Sequence, residues 1–134
     1  MDVARSAIRL GARSVRVAYR RRKNDMTALG EEIEGAIADG VEISGMNAPL
    51  RIEKDEEGKV CALWVEPQIV GDIKGGRPTP KKAEDKKEER WECQRVLVAI
   101  GQGIDSAVFQ EYGIPVHRGS IEALSSADVK DAEG

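Results

Sequence analysis

Arg20, Arg21, Arg22 and Lys23 follow one another with no carboxylate between them. Three planar guanidinium forks and an ammonium within four residues suit the holding of an oxyanion by charge-assisted hydrogen bonds. Arg20 and Arg21 come first after an alternating segment and are the leading candidates, whereas Arg22 and Lys23 equally suit a solvated turn. Arg5, Arg9, Arg13 and Arg16 read as solvent-facing. A second grouping, "VLVAIGQGIDSAV", sets an apolar run before Gly101-x-Gly103-x-x-Ser106 and so imitates a dinucleotide-binding turn. It reads as a decoy: only about thirty residues follow, they include Pro115, and they offer no second strand with an acidic end. Gly101 serves better as a sharp turn or as a place where backbone approaches a ligand closely. Cys61 and Cys93 lack metal or C-x-x-C spacing and read as small apolar strand residues. His117, the single histidine, reads as a surface residue, so neither a zinc site nor a disulfide framework is expected.

The charge balance narrows the anion. The chain of 134 residues carries net −3, with 40% apolar and 34% charged residues, which describes one domain with one core. Residues 1–23 hold eight Arg/Lys against Asp2 alone, net +7, while the rest holds 13 basic against 23 acidic residues, net −10. A basic end on an acidic chain argues against nucleic-acid binding, which uses a basic face across the domain, and suits a small phosphate ligand. A nucleic-acid or import role for Arg20–Lys23 also lacks an aromatic platform beside it. No apolar run approaches membrane-span length and no charged-then-apolar leader is seen, so a cytoplasmic protein without membrane contact is expected.

The elements that must position these residues follow from periodicity. Val3, Ala4, Ala7 and Ile8 recur at helical spacing and Gly11 supplies the stop. Val15, Val17 and Tyr19 alternate as a strand leading into the arginines. A helix is expected over Glu31–Asp39, with Glu31 and Glu32 on its dipole, Ile33, Ala36 and Ile37 facing inward and Gly40 ending it, followed by a short strand over Val41–Ile43. "PLRIEK" and "VCALWVEPQIV" flank Asp55–Gly58 as a hairpin, and "WECQRVLVAI" is its expected partner. Residues 71–90, rich in Gly, Pro and charge of both signs, read as a mobile charged loop.

The run "MDVARSAIRLGARSVRVAYRRRKNDMTALGEEIEGAIADGVEI", the segment "ALWVEPQIVG...GGRPTP" and "VLVAIGQGID" together resemble the pyridine-nucleotide-binding domain of the glutamate synthase small-subunit family. That family belongs to the FAD-dependent pyridine nucleotide-disulfide oxidoreductases. The resemblance covers nearly the whole chain. It implies an α/β, Rossmann-like NAD(P)-binding domain of three layers, a parallel sheet plus an antiparallel β-ribbon. It further implies that residues 1–134 are a single partial domain without the family's first strand and Gly-rich loop, and that residues 113–134 lead back toward an absent FAD domain.

In a Rossmann-like unit the second strand ends beside the adenosine ribose, where an acid holds a free 2′-hydroxyl and arginine fits a 2′-phosphate. Tyr19 is followed by arginines, so the resemblance and the chemistry point to NADPH, with Arg20, Arg21 and Arg22 as cofactor-binding residues. Gly101 and Gln102 match the family's Ile-Gly-Gln segment, where nucleotide and flavin domains meet. In the parent, hydride would pass from NADPH to FAD and electrons onward through iron-sulfur clusters to a glutamate synthase large subunit. No residue of this chain need be an acid, base or nucleophile, and the isolated chain is expected to be inactive. The alternative is a noncatalytic structural module that self-associates, as a homodimer, through exposed strand edges.

Overall fold

Helix α1 spans Asp2–Arg9 in the computed structural model, which describes residues 1–103, 105–117 and 119–121. Gly11, at φ 96°, takes the left-handed turn beyond its end. No residue of α1 is buried. Arg5 and Arg9 tie it down instead. Arg5 Nε donates to Asp39 Oδ2 at 2.8 Å and Arg9 Nη2 lies 3.0 Å from the same oxygen. Solvent was expected to take these two arginines; Arg9 is exposed as expected, whereas Arg5 is half-buried. Their spacing of one turn puts both guanidinium groups on one carboxylate, and Arg5 holds the Asp39 carboxyl below its ordinary range. Gly35 makes room for this, since a Cβ there would stand 3.2 Å from Arg5 Cζ.

Strand β1 (Arg16–Tyr19), helix α2 (Gly30–Ala38) and strand β2 (Glu42–Gly45) form a βαβ unit with β1 and β2 parallel, Arg16 opposite Glu42 and Tyr19 opposite Gly45. The α2 entry is closed by the Glu32 carboxylate, which accepts the Leu29 N–H at 2.9 Å. Ile33, Ala36 and Val41 are buried against the pair. Ile37 is not. It stays 43% exposed, because a nine-residue helix covering two strands buries one narrow stripe.

After β2 the chain turns a corner at Met46, a non-glycine residue at φ 60°, and begins an antiparallel ribbon. Strand β3 (Asn47–Lys54) pairs with the first half of β4 (Val60–Lys74), and β6 (Glu89–Glu92) lies on the other side of that half. Ala62 and Val65 in the first half of β4 are fully buried. Gly58 (φ 78°) completes the β3–β4 turn, where Asp55 Oδ1 accepts the N–H groups of Glu57 and Lys59 at 3.0 and 2.8 Å. Arg16 joins the two sheets by lying 4.7 Å from the Trp91 ring centroid.

Two sequence expectations are overturned. Residues 71–90 are largely strand: β4 runs on to Lys74, Gly75 and Gly76 turn the chain at φ 59° and 76°, and β5 (Arg77–Lys82) returns along it. Pro78 and Pro80 are tolerated because β5 is an edge strand among the described residues, where a missing N–H need cost no ladder bond. Conversely, the expected partner "WECQRVLVAI" contributes only Trp91 and Glu92 to a strand, and residues 93–100 lie outside regular structure. Leu97, Val98 and Ile100 are exposed, Ile100 by 93%. An apolar run without a neighbouring strand leaves its backbone groups to solvent, so alternation alone does not make it a strand.

The described residues fall into two compact units, Met1–Val98 and the described residues from Ala99 onward. In the second, α3 (Ala107–Glu111) is followed by a short hairpin of β7 (Val116–His117) and β8 (Ser120–Ile121). Asp105 Oδ1 accepts the Ala107 N–H at 3.2 Å at the start of α3. The expectation that residues 113–134 lead toward a further domain falls mostly on positions 118 and 122–134, which lie outside the described residues.

Candidate functional site

The basic loop leaves β1 at Tyr19 and closes in a single 3-10 turn, Lys23–Asp25. Its backbone is fixed at both ends. Arg21 O accepts the Met46 N–H at 2.9 Å, and Asp25 O accepts both the Tyr19 hydroxyl and Arg77 Nη2, each at 3.1 Å. Gly45 lies against the middle of the loop. A Cβ there would stand 3.0 Å from Arg21 O and 3.2 Å from Lys23 N, so no larger residue fits without moving the loop.

Within this frame the arginines separate. Arg22 grips Asp25 with two parallel bonds, Nε to Oδ2 at 2.8 Å and Nη2 to Oδ1 at 2.9 Å. That contact, helped by the charge of Arg21, holds the Asp25 carboxyl below its ordinary range. Arg22 therefore spends its fork on a protein carboxylate. Arg20 is exposed and Arg21 half-buried, and among the described residues neither side chain has a hydrogen bond or ion pair to protein. The first acid after β1 is thus neutralised, and two adjacent guanidinium groups remain available for an anion. A groove of about 440 Å³ beside the loop, between the 3-10 turn and α2, is lined by Lys23, Asn24, Met26, Ala28, Ile33 and Glu34.

Gly101 and Gln102 belong to the other unit, where both are exposed and outside helix and strand. Gly101 sits at φ 118°, which favours glycine, and a Cβ there would meet nothing.

A second polar cluster lies on the ribbon. Glu53 Oε2 accepts from Trp64 Nε1 at 2.6 Å and Arg90 Nε at 3.0 Å, while its Oε1 takes Arg90 Nη2 at 3.0 Å and the Cys61 thiol at 3.5 Å. These bonds, that of Arg90 foremost, pull the Glu53 carboxyl down to about 2. Burial, followed by the bond to Glu53, pushes the Cys61 thiol up, so it is no activated thiolate. Cys93, remote in sequence, is brought beside Cys61, its N–H donating to Cys61 O at 3.1 Å. A cavity of about 670 Å³ next to the cluster is lined by Asp55, Lys59, Cys61, Arg90, Cys93 and Arg95. Glu53, Arg90 and Glu92 are ion-paired among themselves, an arrangement that suits a ribbon clasp better than a reacting site. Among the described residues no group of three or more His, Cys, Asp or Glu side chains is placed to hold a metal ion, and no helix is long and apolar enough to cross a membrane.

Sequence reasoning missed Asp25, Gly45, Tyr19 as a hydrogen-bond donor, and Arg77. The Arg22–Asp25 pairing was readable from its spacing of three residues. Nothing in the sequence joins Arg77 to Asp25 across 52 positions.

Comparison with known proteins identifies the chain as a segment of the pyridine nucleotide-disulfide oxidoreductase family. It is 30% identical over its whole length to the NADPH-Fe(3+) oxidoreductase subunit beta of Geobacter sulfurreducens, covering 20% of that protein. It is 37% identical over 79 residues, 58% of the chain, to the glutamate synthase [NADPH] small chain of Escherichia coli, covering 17% of it. The chain thus spans a fifth or less of the length of these relatives. No family model matches it. Among solved structures, Mycobacterium tuberculosis FprA in complex with NADPH aligns with 61% of the chain, and the chain covers 18% of it, at 19% identity and TM-score 0.37, a likeness too slight to bear on the argument.

Proposed function

We propose that this chain is the NADPH-binding portion of a flavin-dependent oxidoreductase resembling the glutamate synthase small subunit, built on a Rossmann-like unit. The observation that carries this reading is the end of β1. There a parallel βαβ unit delivers Arg20 and Arg21 without protein partners, while Arg22 neutralises the nearest acid, Asp25. A 2′-phosphate dianion is well matched by two planar forks. A 2′-hydroxyl would instead require a free carboxylate. That two of the relatives carry NADPH in their names supports the same cofactor.

When bound, the nicotinamide supplies hydride, and in the parent protein FAD would receive it, with iron-sulfur clusters and a glutamate synthase large subunit beyond. This chain's residues bind and orient. Arg20 and Arg21 take the 2′-phosphate, Arg22 and Tyr19 hold their loop in place, and Gly101 and Gln102 lie where backbone would approach the flavin domain. No described side chain is needed to move a proton.

The test is titration of the chain with 2′,5′-ADP and with ADP at moderate salt, following chemical shifts. With one charge-assisted bond contributing ~1.5–3 kcal/mol, Arg20→Ala should weaken 2′,5′-ADP binding by about one to two decades and leave ADP binding nearly unchanged. Equal losses for both ligands, or equal affinities in the wild type, would remove the assignment.

A second reading, a noncatalytic module that self-associates when isolated, is favoured by two observations. Strand β1 has one strand neighbour among the described residues, and Leu97, Val98 and Ile100 are exposed. Sedimentation across a hundredfold concentration range separates the readings, since a constant monomeric coefficient excludes self-association.

A further inference from the structure

We propose that Arg77 is a positioning residue for the basic loop: from the tip of the β4–β5 hairpin it fixes the carbonyl that closes the loop, and so sets where Arg20 and Arg21 meet a 2′-phosphate. This rests on the proposed reading of the loop as the 2′-phosphate site.

A tight turn delivers Arg77. Gly75 and Gly76 both adopt left-handed backbone, φ 59° and 76°, the pairing a tight two-residue hairpin demands and one that residues with a Cβ resist. The turn brings Arg77 opposite Lys74 at the start of β5 and sends its guanidinium across to Asp25 O, 3.1 Å away. A carbonyl oxygen has two lone pairs, and the Tyr19 hydroxyl takes the other, also at 3.1 Å.

The loop is therefore held from three places. Met46 fixes it at Arg21 O, Tyr19 from the end of β1 and Arg77 from the hairpin tip fix it at Asp25 O, and Gly45 lets β2 lie directly beneath. Among the described residues Arg77 makes no ion pair, and its recorded side-chain bond is to this backbone oxygen, so its role toward the loop is one of geometry. The hairpin from Ile69 to Lys82 contains no buried residue. Its strands are largely exposed, and Ile73 near its tip is 73% exposed. A single exposed hydrogen bond adds little to global stability, but where the two arginines are fixed by backbone alone it governs how much freedom they must lose to bind.

The test uses Arg77→Ala and Arg77→Lys in the full chain with two measurements. The first is amide hydrogen exchange at Asp25 and Met26 without nucleotide. The second is the ratio of ADP to 2′,5′-ADP dissociation constants. Loss of one hydrogen bond should speed exchange and lower the ratio by about threefold to tenfold in Arg77→Ala, with ADP affinity unchanged. Arg77→Lys should recover most of both effects, because an ammonium also donates to Asp25 O.

The proposal is overturned if Arg77→Ala leaves exchange unaltered, whatever happens to the ratio. It is equally overturned if Lys fails to rescue the ratio, which would make Arg77 a direct phosphate ligand needing its fork. A wild-type chain that binds both ligands alike would defeat the loop assignment itself, and is recognised as such because it appears before any substitution at Arg77.

Discussion

Gly45→Ala isolates the close approach of β2 to the basic loop. The added Cβ would stand 3.0 Å from Arg21 O and 3.2 Å from Lys23 N, both backbone atoms, so no side chain can swing aside. The loop must retreat by a few tenths of an ångström. That displacement strains the Met46 N–H bond to Arg21 O, now 2.9 Å. Forcing a methyl into filled space costs ~1–3 kcal/mol. Against this, replacing Gly by Ala where the backbone permits it stabilises by ~0.4–1 kcal/mol through the unfolded chain. A net loss of ~0–2.5 kcal/mol is expected. Gly30→Ala provides the reference, because Gly30 opens α2 and an added Cβ there would meet nothing within 4 Å. That variant should gain the ~0.4–1 kcal/mol unopposed. Urea unfolding at pH 7 with a common m-value gives both numbers. If Gly45→Ala is as stable as Gly30→Ala, the steric reasoning about the loop is wrong.

The Glu53 clasp predicts an acid limb. Its carboxyl is held at about 2 by Arg90, below the unfolded value, so its contribution to stability is present above about pH 4.5 and is lost as pH falls toward 2. Glu53→Gln should lower the urea midpoint at pH 7 and flatten its decline between pH 5 and 2.5; equal declines in both proteins would contradict the assignment. Burial along β4 predicts a contrast between its two halves. Val65→Ala, at a fully buried site, should cost ~1–3 kcal/mol, whereas Ile73→Ala should stay within ~0.5 kcal/mol. Comparable losses at the two sites, measured by urea unfolding, would show that the far end of the strand is packed after all.

Much of the first unit was legible because its signals are local. The α1 and α2 stripes, the Gly11 and Gly40 stops, the alternation into Tyr19 and the Asp55–Gly58 turn each lie within a few residues of the structure they specify. Residues 71–90 were misread because charge and proline report solvent exposure. An edge hairpin satisfies that demand as well as a loop does. The run Val96–Ile100 was misread in the opposite sense, since its side chains favour a strand while its backbone has no ladder to join. In the site, Arg20 and Arg21 were visible as consecutive cations. What separates them from Arg22 is Asp25, and what fixes their loop comes from Gly45, Met46 and Arg77, contacts that only the tertiary fold creates.

Strand β4 is long for the unit that contains it. Fifteen residues at ~3.3 Å each reach ~50 Å, against a diameter of ~33 Å for a sphere with the radius of gyration of a hundred-residue body. The excess has to leave the core. Its second half does so, passing from the buried Pro67 to the exposed Ile69, Val70 and Ile73. The hairpin thus acts as a lever: backbone ladder bonds hold its outer arm, and that arm can open without disturbing Ala62 or Val65. Arg77 sits at the far end of that arm. The grip on the loop is then set by the local opening free energy of the arm, so a substitution that loosens β5 without touching the loop would weaken the hold on Asp25.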